Sequence, residues 1–282
     1  MLLRRDKTVK KILSLVFAVF LFLSLTAGAF AADNPLNVKE EGFTFEREGC
    51  YAKVAWCKEG DANIFGRLYF PADFDETQQY TTLVICHGGK LTCDFQDKYY
   101  APELARRGFV SYVFDCRSAT EGGRGTYSDP LEEGEADGVS YTRDFEAALA
   151  YVQSLPYVDK ENIYLFGQSL GGIAAESTGS KHSDEIAGLI ILYGCLSDNL
   201  AERLTDYEDV KANPYHNGEV LFIQGLKDQF NTEEDVLENM TWYEECSFVL
   251  LSKGPHGFGY AGDRPARICV DSIEDFILRT AK

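Results

Sequence analysis

The alternation of apolar and polar positions along the chain predicts a sheet with helices packed on it. Eight runs rich in strand-forming residues are bounded by turn residues and have the lengths of strands. These runs are 50–56, 64–70, 80–86, 109–116, 163–166, 186–193, 219–224 and 248–252. Helix-forming patterns cover 100–107, 142–155, a small-residue segment from Gly171, and 268–278. A starting hairpin followed by alternating strands and helices predicts an α/β fold, a mostly parallel eight-stranded sheet with helices on both faces.

The first 31 residues have the pattern of an export signal. Basic residues precede the apolar stretch 12–25, and Ala29-Phe30-Ala31 fits the small-x-small pattern of a cleavage site. We therefore expect a signal peptide at 1–31, cleavage near Ala31/Ala32, and a secreted or extracytoplasmic protein without stable membrane association. The remaining residues, 32–282, suit one domain. A retained membrane anchor over 12–32 is the alternative interpretation.

The net charge and the cysteines indicate which partners and which metal sites are improbable. Lys and Arg number 27 against 45 Asp and Glu, a net charge of −18, which disfavours nucleic acid and anionic membranes as partners. The eight cysteines permit disulfides in an exported protein, and Cys86 and Cys116 end two predicted strands where they would be neighbours. No CxxC pair or His/Cys cluster has zinc-ligand spacing. We therefore expect no metal and no cofactor.

A candidate nucleophile lies in IYLFGQSLGG, residues 163–172. Ser169 directly follows a predicted buried strand and precedes a segment of small residues. This is the context of a nucleophile elbow, in which Gly167 and Gly171 allow a sharp turn and close packing of strand and helix. We predict that Ser169 is a catalytic nucleophile. The alternative is a serine that only caps the helix.

A serine nucleophile needs a base, and the base needs a carboxylate that orients it. The four histidines are His87, His182, His216 and His256. His256 follows the last predicted strand, in GPHGF, and comes last in the chain order expected for such a site. Asp228 ends FIQGLKD and lies between Ser169 and His256 in sequence. We therefore predict a Ser169–His256–Asp228 triad, with Asp198 as the alternative carboxylate.

Attack on a carbonyl carbon places negative charge on its oxygen, which backbone N–H groups can stabilise. The N–H of Leu170, directly after the serine, is one expected donor. The loop after the third predicted strand, His87-Gly88-Gly89-Lys90, is expected to supply the other from Gly89. In this interpretation His87 shapes the loop.

Six segments in order resemble the α/β-hydrolase superfamily over nearly all of the mature chain. They are FGRLYFP (65–71), VICHGG (84–89), LARRGFVSYVFDCR (104–117), GQSLGG (167–172), FIQGLKD (222–228) and GPHGF (254–258). Within the superfamily, the chain looks most like secreted carboxylesterases of the feruloyl/cinnamoyl type, and it is similar to serine aminopeptidases and prolyl oligopeptidase-like hydrolases. The resemblance implies an α/β-hydrolase fold and an acyl-enzyme mechanism. The implied substrates are small-molecule or glycan-linked esters, such as feruloyl or acetyl esters of plant polysaccharide.

The chain departs from these relatives in two places. Related enzymes often carry Asp-x-Arg-Gly-x-Gly-x-Ser after the fourth strand, where this chain has Asp115-Cys116-Arg117-Ser118. Only residues 195–218 separate the sixth and seventh predicted strands, which predicts a small lid and argues against a specialised aromatic-ester site. The alternatives are a serine peptidase with the same triad, a catalytically silent binding module, and a lipase, which the short lid and acidic charge disfavour.

Overall fold

The computed structural model describes residues 44–47, 49–89, 91–94, 99–117, 128–131, 137–197, 206–259 and 263–282. Contacts divide the chain into residues 1–39 and 40–282, and every described residue lies in the second unit. The predicted signal peptide and the alternative carboxylate Asp198 lie outside the described residues. Within the described ranges, no helix combines the length and apolar character needed to span a bilayer.

The described part of the chain contains one sheet of nine strands. They are β1 (Thr44–Arg47), β2 (Cys50–Glu59), β3 (Ala62–Pro71), β4 (Tyr80–Cys86), β5 (Val110–Phe114), β6 (Val158–Gln168), β7 (Gly188–Leu192), β8 (Val220–Lys227) and β9 (Cys246–Pro255). Their order across the sheet is β1-β2-β3-β5-β4-β6-β7-β8-β9. The first three strands pair antiparallel, as does β3 with β5, and every later pairing is parallel. The eight predicted strands are confirmed, and β1 adds a short ninth strand at the edge.

Helices cover both faces of the sheet, as the strand–helix alternation predicts. The described helices are α1 (Tyr100–Arg106), α2 (Asp137–Gln153), α3 (Leu170–Lys181), α4 (Tyr207–Ala212), α5 (Glu233–Met240) and α6 (Arg264–Thr280). Buried side chains of α2, α3 and α5 share one hydrophobic cluster, and those of α1 and α6 share another. Strands β5 and β7 are buried along their whole length because both of their faces are covered.

Two helices were absent from the sequence prediction because they are short. α4 has only six residues, and α5 has eight. A capping box starts α5, in which Thr232 accepts from the N–H of Asp235 and the Asp235 carboxylate accepts from Thr232. Such short helices are stabilised mainly by packing on the rest of the fold.

The sheet determines where a functional site can form. Strands β4 to β9 run parallel, so their carboxyl ends meet at one edge. The segments that follow β4, β6, β8 and β9 carry the four residues Gly89, Ser169, Asp228 and His256. The topology therefore brings residues from distant parts of the chain to the edge at which ligands bind in such sheets.

Candidate active site

Ser169 lies at the sharp turn between β6 and α3. Its backbone has φ 52° and ψ −121°, a positive φ that non-glycine residues rarely adopt. The N–H of Ser169 donates to the carbonyl of Leu192 on the neighbouring strand at 3.0 Å. The carbonyl of Ser169 accepts from the N–H of Gly172 at 2.8 Å, inside the first turn of α3. These hydrogen bonds hold a strained conformation of the kind found at functional sites.

Two glycines make this turn sterically possible. A Cβ atom at Gly167 would lie 2.1 Å from the carbonyl oxygen of Gly171, so strand and helix could not pack as they do. A Cβ atom at Gly194, after β7, would lie 2.1 Å from the carbonyl oxygen of Ser169. The first glycine was predicted from the elbow pattern, whereas the role of Gly194 depends on the neighbouring strand.

The three predicted side chains form a continuous hydrogen-bonded series. Ser169 Oγ lies 2.9 Å from His256 Nε2, and His256 Nδ1 lies 2.8 Å from Asp228 Oδ2. An ionised carboxylate can only accept, so Nδ1 carries the proton and Nε2 accepts from the serine hydroxyl. The arrangement suits transfer of the serine proton to His256 while Asp228 holds the ring in place.

The Asp228 carboxylate is held in its ionised form. Burial acts to raise its pKa, but hydrogen bonds and charge from His256 outweigh burial, so the pKa of Asp228 lies below its ordinary value. The other oxygen, Oδ1, accepts from the N–H groups of Phe230 at 2.8 Å and Asn231 at 3.0 Å. The turn after β8 therefore both orients the carboxylate and stabilises its charge.

Two aromatic rings flank His256, and neither was predicted from the sequence. The Tyr193 ring lies 5.3 Å from the imidazole and is buried, and Phe230 lies 4.9 Å away and is exposed. Tyr193 is the other non-glycine residue with a positive φ, 42°, within the described ranges. A Tyr-Gly pair ending a buried strand was its sequence signal, whereas Phe230 lay in an unassigned turn.

The side chains of the other three histidines contact residues other than Ser169. His182 pairs with Glu185 at 2.8 Å, and His216 Nδ1 lies 3.3 Å from the Pro214 carbonyl. His87 is fully buried, and burial lowers its pKa, so it is neutral. These contacts leave His256 as the histidine that reaches Ser169 Oγ.

His87 shapes the loop after β4, as the sequence analysis expects. Its Nε2 accepts from the N–H of Cys116 at 3.1 Å, so its Nδ1 carries the proton and donates to the Gly88 carbonyl at 2.8 Å. A Cβ atom at Gly88 would lie 3.2 Å from the Cβ of Ser169. His87 thereby holds the loop against the elbow.

Gly89 and Leu170, the predicted oxyanion donors, lie close together. A Cβ atom at Gly89 would lie 3.7 Å from the Cβ of Leu170. Leu170 begins α3, and the first N–H groups of a helix have no partner within the helix. The two residues are therefore close neighbours, and stabilisation of an anionic oxygen by their N–H groups stays a prediction.

A buried carboxyl connects α3 to two other segments of the chain. Glu176 is fully buried and accepts from the N–H of Leu196, which follows β7. The Tyr243 hydroxyl donates to the same carboxyl at 2.7 Å. Burial raises the pKa of Glu176 to about 7, although both hydrogen bonds act to lower it. This residue was not singled out by any sequence motif.

The predicted neighbours Cys86 and Cys116 are in contact, with their sulfur atoms 3.5 Å apart, and both are thiols. Within the described residues, no group of three or more His, Cys, Asp or Glu side chains has an arrangement that would hold a metal ion. The chemistry described above uses side chains and backbone N–H groups alone.

Comparisons with known proteins show which families and structures this chain is similar to. Residues 77–205 match the family described as serine aminopeptidase, S33. A curated relative, the uncharacterized protein YcjY of Escherichia coli, is 34% identical over 104 residues. The aligned region is 37% of this chain and 32% of that protein, so the chain spans about a third of this relative.

Solved structures share the fold at low sequence identity. Est1E from Butyrivibrio proteoclasticus, with ferulic acid bound, has a TM-score of 0.63 at 18% identity, covering 80% of this chain and 98% of that one. A putative dipeptidyl aminopeptidase IV from Bacteroides ovatus has a TM-score of 0.64 at 16% identity, covering 88% and 37%. The protein therefore has an α/β-hydrolase fold. Residues 77–205 are similar to the serine aminopeptidase family.

Proposed function

We propose that the protein is an exported serine esterase that cleaves carboxylic esters through a covalent acyl-enzyme. The observation that carries the proposal is the hydrogen-bonded series from Ser169 through His256 to Asp228. The series lies at the carboxyl edge of the sheet and includes a serine held at positive φ. The N-terminal pattern of residues 1–31 supports export.

The proposed reaction has two halves. Ser169 Oγ attacks the ester carbonyl carbon while His256 Nε2 takes the hydroxyl proton, and the Gly89 and Leu170 N–H groups stabilise the resulting oxyanion. Protonated His256 then gives its proton to the leaving alcohol, and the acyl group remains on Ser169. In the second half, His256 takes a proton from water while the water oxygen attacks the acyl carbon. His256 then returns a proton to Ser169 Oγ as the bond between the acyl carbon and Oγ breaks and the acid leaves.

Asp228 supports both halves without moving a proton itself. Its carboxylate keeps Nδ1 of His256 protonated, so that Nε2 faces Ser169 as an acceptor. It also stabilises the imidazolium that forms after the serine loses its proton. The low pKa of Asp228 keeps this charge available at neutral and mildly acidic pH.

The likeness of this chain to Est1E, which was solved with ferulic acid bound, supports ester substrates as the first choice. Feruloyl or acetyl esters of plant polysaccharide are the substrates that we propose to test first.

A serine peptidase is the second candidate, and the match to the serine aminopeptidase family supports it. The same triad would attack a peptide carbonyl, and the leaving group would be an amine instead of an alcohol. A site for a free amino terminus would require a carboxylate near the triad. The candidate acids at 121–137 and at 198–209 lie outside the described residues, apart from Asp129, Asp137, Asp206, Glu208 and Asp209.

A hydrolysis panel on the purified protein separates these candidates. The panel sets acetyl, butyryl and feruloyl esters beside an aminoacyl-arylamide, with Ser169→Ala and the exposed Ser252→Ala as a matched control. We expect ester turnover that Ser169→Ala reduces on the order of 10⁶-fold and that Ser252→Ala leaves unchanged. If the protein cleaves only the arylamide, the peptidase is the correct function and the esterase proposal is wrong. Ester turnover that survives Ser169→Ala would refute the proposed nucleophile.

A further inference from the structure

Phe230 is a large aromatic side chain that remains exposed beside the candidate base. Its side chain is 68% exposed, although Phe is among the residues most often buried. Its ring is 4.9 Å from the His256 imidazole, with an interplanar angle of 60°. Its N–H donates to Asp228 Oδ1, which fixes the backbone that carries the ring. The ring is therefore presented to solvent at a defined place next to the triad.

Two exposed apolar side chains lie close to Asp228 in the sequence. In the part of the chain that the structure describes, the large hydrophobic side chains that are exposed are Leu226, Phe230, Leu237, Leu250 and Leu278. Two of them, Leu226 and Phe230, lie within two residues of Asp228 on either side. The turn that positions the carboxylate thus also presents apolar surface at the carboxyl edge of the sheet.

The chemistry of the proposed reaction determines which part of a substrate lies near Phe230. The leaving group must receive a proton from His256 Nε2, so its first atoms must lie beside the imidazole. One side of that ring is occupied by Tyr193, which is buried. Phe230 also contacts the ring but is open to solvent, so it is available to pack against the leaving group. The acyl oxygen lies instead toward the Gly89 and Leu170 N–H groups.

We propose that Phe230 forms an apolar wall of the leaving-group subsite and gives the enzyme a preference for aromatic or extended apolar alcohols. The inference rests on the proposed function, because it assigns a specificity-determining residue to that reaction. A benzyl or phenethyl group would gain an aromatic contact with Phe230, whereas a methyl or ethyl group would not. Phe230 would not affect the preference for the acyl group of the substrate.

Two substrate series test the proposal on the full-length protein. In the first, acetate is esterified with methyl, ethyl, benzyl and phenethyl alcohols. In the second, ethyl esters carry acetyl, propionyl and butyryl groups. Phe230→Ala and Phe230→Tyr are compared with Leu278→Ala, a control that truncates an equally exposed apolar side chain, 70% exposed. Leu278 lies near the C-terminal end of α6, where Thr280 contacts Tyr164 in β6, before the carboxyl edge.

We expect Phe230→Ala to lower kcat/KM for the aromatic acetates about 10-fold relative to methyl acetate, mainly through KM. Phe230→Tyr should retain the aromatic preference, and Leu278→Ala should alter neither series. The acyl series and the pH profile of kcat/KM should be unchanged in Phe230→Ala. An equal loss on every ester, or a displaced pH profile, would show that Phe230 acts by positioning His256, and it would overturn the subsite.

Failure of the proposed function gives a different result. If wild-type protein cleaves no ester but cleaves alanyl-amides, the esterase is wrong and the leaving group is an amine. The same comparison is then made with alanyl-anilide and alanyl-methylamide. If Phe230→Ala lowers kcat/KM for the anilide only, Phe230 forms the apolar wall of the leaving-group subsite. If it lowers kcat/KM for both amides equally, that assignment is overturned.

Discussion

Glu176→Gln tests whether the buried carboxyl in α3 makes the free energy of unfolding depend on pH. The folded protein holds this group fully buried, with donors from Leu196 and Tyr243, and its pKa is raised to about 7 by burial. In the unfolded chain the group returns to its ordinary value of 4.5. The folded state therefore binds the proton more tightly than the unfolded state does.

The sign and size of the effect follow from this difference. The favourable contribution of protonated Glu176 is complete below about pH 4.5 and is lost as pH rises through about 7. At about 1.4 kcal/mol for each tenfold difference in proton affinity, the lost stability is about 3 kcal/mol. Gln is neutral at every pH, and its carbonyl and NH₂ groups can replace the protonated carboxyl between Leu196 and Tyr243. The variant therefore escapes this loss.

Urea unfolding at pH 5 and pH 8 measures the effect directly. We expect the free energy of unfolding of Glu176→Gln, relative to wild type, to rise by about 2–3 kcal/mol from pH 5 to pH 8. The exposed Glu161→Gln is the control, and its difference from wild type should stay constant. A constant difference for Glu176→Gln as well would refute the reasoning, because the carboxyl would then have the same proton affinity in both states.

Three further substitutions test the site. Asp228→Asn should lower kcat about 10⁴-fold at neutral pH, because the amide favours the wrong tautomer of His256; near-normal kcat in steady-state assays would contradict the triad. Gly194→Ala should lower both kcat and Tm, because its Cβ would lie 2.1 Å from the Ser169 carbonyl oxygen; an active, stable variant would show that the elbow tolerates displacement. His87→Ala should destabilise the protein by about 2–4 kcal/mol in urea unfolding, because the Cys116 N–H loses its buried acceptor, and unchanged stability would argue against that role.

Local patterns in the sequence determined the fold class and nominated the residues of the site. A continuous apolar run predicts a buried strand, and the glycines around Ser169 predict the elbow. Both signals come from residues that are adjacent in the sequence. The chain order Ser, Asp, His then singled out Asp228 and His256. The structure brings these three side chains into hydrogen-bond contact, and their catalytic roles, like the signal peptide at 1–31, stay predictions.

The tertiary structure decided what surrounds those residues, because the relevant contacts join distant positions. Tyr193 reaches His256 across 63 positions of the chain, and Glu176 meets Tyr243 across 67. No local pattern encodes such pairs, since they arise only when the parallel strands align at one edge. The exposure of Phe230 is likewise a property of the folded surface. The short helices α4 and α5 were not predicted for a related reason, since helices of six and eight residues are stabilised mainly by tertiary packing.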